Sequence, residues 1–446
     1  MRSAVRFAGI ACAVVVLYAL LYPWFTREQK SKQQQWAGGT AVARDHRGLV
    51  MCVGNEAHFI NGALYTIQQL RGRWKSSLPV SIMHCNELYA DSLAKFAAFD
   101  LVDVHNLCDP SVAPQPQRSR LKGWFCKPQA LLSSRYEEAM IVDTDVLWFK
   151  DPGALFQAPS YQQAGALFFR DRFLFETPSE KDGLHYDTVK RFVEAQSRVS
   201  LVRNTSGSSR RNGTMAAAAV PRGALLVDAA TAAALADGNG VNFFWRHGAD
   251  ATKHSAIRHV QESSVVLINK RKLPNTLKVL QRLLPTFNLG YGDKEIYWIA
   301  ATIAGEPFSF EPYLAGTYGD CGEILHFDPV ATPYSADAEP YFLNCQYLTE
   351  GDAYVGKNRQ DRVSKPVPAT PATALFDMGQ KDTKSAGRCG ACKLMGCTAA
   401  PPALNREIAA YQQFHVDHAQ RTDGYWLYHK VAVFFEKFLF PAPRGP

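Results

Sequence analysis

Two carboxylates two residues apart, Asp143 and Asp145 in Asp143-Thr144-Asp145, are the pair in this chain best placed to do chemistry. Side chains two apart in extended backbone point the same way, so both can face one site. A hard divalent cation takes oxygen ligands and is commonly shared between one or two carboxylates and substrate phosphates. The pair therefore predicts a site for a metal-bound diphosphate. The bare triplet turns up about once by chance in a chain of this length, and its other reading is a solvated turn. Its flanks favour the site. Glu138 to Val142 is a short apolar run that reads as a buried strand, and open α/β sheets bind ligands outside the carboxyl ends of their strands. Val146-Leu147-Trp148-Phe149 is too apolar for a surface turn, and Asp151-Pro152 reads as an N-cap with proline at the first helical position, opening a short helix through Leu155 and Phe156.

The elements that must hold the pair alternate. Gly48 to Gly54 reads as a strand ending in Gly54-Asn55-Glu56, followed by helical pattern through Ala63, Ile67 and Leu70. Leu78 to His84 and Leu101 to His105 read as further strands, Lys122 to Arg135 as a helix, and Gly165 to Phe169 as a fifth strand. Alternation of this kind predicts an α/β fold, Rossmann-like, with a mostly parallel sheet and helices on both faces. The Gly54-Asn55 loop is the natural place for a nucleotide base. No Gly-x-Gly-x-x-Gly and no Walker-type lysine motif is present, which speaks against a dinucleotide fold and a P-loop.

The central run resembles glycosyltransferases of the GT-A fold, and within them glycosyltransferase family 71, the Golgi α-mannosyltransferases of fungal mannan. The residues that carry the likeness are Gly123-Trp124, Glu137-Glu138, Asp143-Thr144-Asp145, Lys150-Asp151-Pro152 and Leu155-Phe156, in that order. A more distant likeness is to glycogenin-like retaining transferases. The resemblance covers roughly residues 48–330 and is strong only in the central thirty or so. It implies Mn²⁺ (or Mg²⁺) on Asp143 and Asp145, GDP-mannose as donor, and retaining transfer of mannose in α linkage to a glycan or glycoprotein acceptor. A UDP-sugar-dependent glucosyl-, galactosyl- or xylosyltransferase is the alternative enzyme, and an inactive lumenal glycan-binding protein the alternative from another class.

The resemblance also nominates residues away from the centre. Tyr291-Gly-Asp-Lys-Glu295, before a helical pattern through Ile303, matches the segment whose Asp faces the donor sugar, making Asp293 the candidate catalytic carboxylate. Its alternative role is an ordinary helix N-cap. His326 in Leu325-His326-Phe327 matches the histidine that completes the metal shell, against a purely structural histidine. The relatives' lysine a few residues on is missing, so the phosphate partner falls to Lys122, Lys127 or Lys357. Ala224 to Asp228 reads as the matching core strand, preceded by Arg222-Gly223 where relatives carry a sugar-contacting polar residue. Thr144 completes the expected donor contacts.

Phe7 to Phe25 is an apolar run between Arg2 and Arg6 on one side and Arg27 and Lys30 on the other. About 20 apolar residues span a bilayer. A cleaved signal peptide would have a shorter run and small residues at its end, where this chain has Leu20 to Phe25. The segment reads as an uncleaved signal anchor, giving a 1–6 cytoplasmic tail, a 7–25 single-pass span, a 26–45 stem and a lumenal, Golgi-resident type II protein. The rest divides into a 46–350 transferase domain, a 351–405 cysteine-containing linker and a 406–446 helical segment, whose apolar stretch Tyr425 to Phe440 reads as core helix or as a surface-lying membrane helix. Asn204-Thr-Ser and Asn212-Gly-Thr are glycosylation sequons in a polar stretch.

The hydrophobic share of 47% is enough for a sizeable core. The net charge of +8 is scattered rather than gathered on one face, which excludes an ordinary nucleic-acid footprint. Ten cysteines suit a secretory compartment. Cys389, Cys392 and Cys397 lack the fourth ligand of a zinc site, so disulfides, with Cys321 and Cys345 as candidate partners, are the expectation.

Overall fold

The computed structural model describes residues 46–109, 121–171, 175–176, 184–185, 188–196, 256–257, 260–290, 292–318, 323–330, 337–345, 362–366 and 397–419. All lie in the second of the chain's two units, His46–Pro446.

A seven-stranded sheet forms the centre. Its order is β11-β6-β10-β4-β1-β2-β3, with β1 Arg47–Cys52, β2 Val80–His84, β3 Val102–Asn106, β4 Glu138–Val142, β6 Ala166–Arg170, β10 Gln261–Asn269 and β11 Ser309–Phe310. Strands β1 to β4 are mutually parallel, β6 and β11 run with them, and β10 alone runs against its neighbours β4 and β6. The expected mostly parallel sheet is therefore present. Its central strands are buried on both faces, as parallel strands under helices must be.

Leu49, Met51, Ile82 and Val142 face a layer with α1 (Ala57–Gln68), α2 (Ala90–Ala97) and α4 (Pro159–Ala164). Val50, Met83, Ala139 and Ile141 face the other, with α3 (Cys126–Ser133), α5 (Pro274–Leu283) and α6 (Ile296–Ala304). The alternation follows from the period of two along a strand. Eight of the nine residues of α6 are buried, so it is apolar all round and sits as a core helix.

A six-stranded sheet, order β16-β15-β12-β13-β14-β5, lies beside the first. It contains β5 Val146–Trp148, β12 Gly316–Tyr318, β13 Glu323–Phe327, β14 Pro340–Asn344, β15 Arg362–Ser364 and β16 Cys397–Ala399. The apolar run after Asp145 is thus an edge strand of this second sheet, and Asp143-Thr144-Asp145 is the crossover between the sheets. A small three-stranded sheet holds β7 Phe175–Glu176, β8 Leu184–His185 and β9 Ala256–Ile257. Finally α7, Pro402–Ala419, packs on α1 through Tyr65 against Tyr411 and Phe414, with ring centroids 4.9 and 5.1 Å apart.

Several expectations are corrected. Strand β15 falls in the stretch expected as a linker, and α7 begins before residue 406, because Leu404, Ile408 and Tyr411 bury against the second sheet. The helix expected over Lys122–Arg135 is confined to Cys126–Ser133. Cys345 is a free, buried thiol rather than a disulfide partner. Among the described residues the disulfides are Cys52–Cys126 and Cys85–Cys108. The anchor segment, both sequons, Arg222, Gly223, the expected strand Ala224–Asp228, Lys357, Cys321, Cys389, Cys392 and the apolar tail lie outside the described residues. No helix among the described residues is long and apolar enough to cross a membrane.

Candidate active site

The carboxyl ends of β1 and β4 are neighbours, since Met51 pairs with Val142. Gly54 and Asn55 follow one, and Asp143, Thr144 and Asp145 follow the other. The Asp143 amide donates to the Ser264 carbonyl at 2.8 Å, and the Cys345 amide donates to the Asp145 carbonyl at 2.8 Å. The turn is thereby tied to both sheets. Behind it, Gly62 of α1 lies so close that a Cβ there would run into the Thr144 carbonyl oxygen. Thr144 itself is buried.

Lys127 is the centre of the site. Its ammonium lies 2.9 Å from Asp143 Oδ1 and 3.1 Å from Asp293 Oδ1. It also donates to the Ser263 carbonyl at 3.2 Å and to Ser263 Oγ at 3.0 Å. Ser263 Oγ donates to Asp293 Oδ1 at 3.2 Å and the Tyr297 hydroxyl donates to Asp293 Oδ2 at 3.0 Å. The Cys52–Cys126 disulfide fastens the start of α3, and so Lys127, to the end of β1. The register of β10 against β6 shifts between Glu262 and Val266. Such irregularities re-aim side chains beside active sites, and here Ser263 is turned toward Lys127 and Asp293.

Asp293 is 2% exposed and is not the helix cap, since the N-cap of α6 is Glu295 and makes no side-chain cap bond. The sequence offered Lys127 as one of three candidate phosphate partners, with Lys122 and Lys357. The structure places it between two carboxylates. Burial alone would lower the Lys127 pKa, but Asp143 and then Asp293 outweigh it and raise it. Burial pushes Asp143 up to about 6, with Lys127 opposing. Burial and then the charge of Asp143 push Asp145 up to about 7. Asp145 makes no ion pair with a described residue, so three carboxylates here, Asp143, Asp145 and Asp293, have one built-in cation, Lys127. That surplus of negative charge on the partly exposed Asp143 and Asp145, from hard oxygen donors, fits a divalent cation.

His326 does not join them. Its Nδ1 pairs with Glu311 Oε1 at 2.6 Å, its ring stacks on Phe342 at 4.5 Å, and it is fully buried in β13. Its Nε2 meets no hydrogen-bond partner. Among the described residues no three His, Cys, Asp or Glu side chains form a group able to hold a metal. Lys122 is exposed, within electrostatic reach of Glu87 at the end of β2.

Sequence reasoning missed Ser263, Glu262 and Tyr297. Glu262 is 2% exposed and takes an ion pair from Lys294 at 3.1 Å. Val265 to Asn269 ahead of Pro274 was a legible strand signal. The irregularity that aims Ser263 had none.

The family model Mannosyl_trans3, described as a mannosyltransferase, matches residues 46–326. Similar curated proteins include MNN14 of Candida albicans, 26% identical over 286 residues, covering 61% of this chain and 36% of that one. Another is the alpha-1,3-mannosyltransferase MNT3 of Saccharomyces cerevisiae, 26% identical over 267 residues, covering 56% of this chain and 37% of that one. The chain therefore spans about a third of the length of these relatives. Among solved structures, the mannosyltransferase Ktr4p of S. cerevisiae aligns with a TM-score of 0.34 at 12% identity, over 62% of this chain and 69% of that one. Core-mannan synthase A of Aspergillus fumigatus aligns at 0.33 and 12%, over 61% and 74%. Both scores are too low to define a common fold.

Proposed function

The chain belongs to this mannosyltransferase family over residues 46–326, and from that footing we propose that it is a GT-A-type α-mannosyltransferase using GDP-mannose and a divalent cation. The observation that carries the reading is the network of Asp143, Lys127 and Asp293 at the carboxyl end of β4, with Asp145 beside it in no ion pair with a described residue. Asp143 and Asp145 would hold Mn²⁺ or Mg²⁺. Such a cation, when bound, supplies Lewis-acid neutralisation of charge growing on the diphosphate leaving group. Asp293 would supply the fixed charge toward the sugar, and preorganised charge acts most strongly on the transition state. Lys127 keeps both carboxylates in place. The relatives' names favour an α-1,3 linkage, and the acceptor we propose is a mannose-bearing glycan.

The setting we propose is the Golgi lumen, on a single-pass type II anchor at residues 7–25. The two disulfides support an oxidising compartment. The test is to incubate the full-length protein in detergent with a panel of nucleotide sugars, with and without Mn²⁺. Mn²⁺-dependent turnover of GDP-mannose is expected. Turnover of a UDP-sugar instead would overturn the donor, and no turnover of any donor would overturn the enzyme reading.

A further inference from the structure

Trp124 is 52% exposed, one of three large hydrophobic side chains among the described residues that are so open. Its surroundings are specific. Gly292, at φ +67°, forms a floor so close that a Cβ there would stand 2.9 Å from Trp124 Cδ2. The next residue is Asp293. Trp124 also belongs to the turn that delivers Lys127, whose amide donates to the Trp124 carbonyl at 3.3 Å. Gly123 before it is at φ +99°, a conformation that favours glycine. One glycine turns the indole outward and another lets it lie against the chain beside the buried carboxylate.

An exposed aromatic face at the edge of a charged site can give a ligand apolar contact next to polar groups. The ligand must offer an apolar patch to the ring and polar groups to the partly exposed carboxylates Asp143 and Asp145. A pyranose does both, with axial C–H bonds on one face and hydroxyls at its edge. We propose that Trp124 is an acceptor-binding residue, the platform on which a neutral pyranose of the acceptor glycan stacks, with Gly292 as its floor. The proposal rests on the transferase reading for the identity of the reaction, and not for the existence of the platform.

The experiment uses full-length protein in detergent, GDP-mannose as donor and methyl α-mannoside as acceptor. Trp124→Ala and Trp124→Phe are compared with wild type for acceptor KM, for donor hydrolysis without acceptor, and for Tm. Trp124→Ala is expected to raise acceptor KM about tenfold, the scale of one lost aromatic contact, with hydrolysis and Tm unchanged. Trp124→Phe should recover most of the loss. An unchanged KM in Trp124→Ala overturns the proposal, and so does a parallel fall in donor hydrolysis. If wild type does not consume GDP-mannose, the transferase reading fails by itself. The platform is then tested by methyl α-mannoside binding in saturation-transfer NMR. Binding by wild type that is lost in Trp124→Ala supports it, while no binding by wild type, or equal binding, overturns it.

Discussion

Lys127 Nζ lies 2.9 Å from Asp143 and 3.1 Å from Asp293, joining the end of a central strand to the turn before a buried helix. Its side chain is 6% exposed, so its removal leaves the buried Asp293 and the partly exposed Asp143 without their cation. Breaking a buried pair from one side costs about 3–5 kcal/mol. Lys127→Met is expected to lose about 3 kcal/mol at pH 8. The loss should shrink toward pH 5. Both carboxylates have raised pKa values already, Asp143 at about 6. A carboxylate raised in the folded state binds protons more readily there than when unfolded, so its unfavourable charge is felt as pH climbs through that value. Urea titrations at the two pH values read this directly. A larger loss at pH 5 than at pH 8 would contradict the network.

The two members of Asp143-Thr144-Asp145 are unlike. Asp143 has Lys127, and Asp145 pairs with no described residue. Asp145→Asn should therefore hold or gain stability, by removing a like charge, while Asp143→Asn should lose about 1–3 kcal/mol with its charged hydrogen bonds. Both should lower turnover by roughly 10²-fold or more. Thermal melts and single-turnover assays on the pair separate fold from chemistry, and equal melting temperatures would show that Lys127 is not a true partner of Asp143.

Asp293 is the position where two roles were open in the sequence. As a cap it would tolerate Asn. The structure gives its carboxylate to Lys127, Ser263 and Tyr297 instead. Asp293→Asn should lower turnover by roughly 10²-fold. A fully active variant would remove Asp293 from the site.

The parallel half of the fold was legible because its signals are local. Short apolar runs ending in Gly54, His84 and Asp143 gave β1, β2 and β4, and the patterns between them gave α1 and α3. The apolar flank of Asp145 was readable as an oddity, and its cause, an edge strand of a second sheet, was not. Sheet membership depends on partners such as Phe342 opposite Trp148, nearly two hundred residues away in the chain. The partners of Lys127 and His326 were not legible for a related reason. A residue type states what chemistry is available. Burial and neighbours, Asp293 for the one and Glu311 for the other, decide what it does.

Gly62 could not be singled out by sequence, since a glycine in a helix usually only weakens it. Here it lets α1 approach the Thr144 carbonyl. Gly62→Ala gains helix propensity and yet should destabilise by about 1–3 kcal/mol, as overpacking does. Because the neighbour is backbone, the turn itself must shift, and turnover should fall with stability. A more stable, fully active Gly62→Ala protein would show that the contact relaxes freely. Differential scanning calorimetry with an activity assay on the same sample decides.

The last prediction concerns cation binding and pH. A hard cation binds the ionised form of its carboxylates, so protons compete with it. Burial raises Asp143 to about 6, and burial with the charge of Asp143 raises Asp145 to about 7. The competition should therefore set in near neutrality, well above the range of an exposed carboxylate. Without a cation, lowering the pH from 8 neutralises these two groups first in the folded state and relieves their repulsion. With a cation, the repulsion is already offset at pH 8, and acidification displaces the ion. The rise in Tm caused by Mn²⁺ should thus be largest near pH 8, fall below pH 7 and vanish near pH 5. Asp145→Asn should abolish the rise at every pH while keeping the fold. A Tm rise that is flat from pH 8 to pH 5, or that survives in Asp145→Asn, would place the cation elsewhere in the protein.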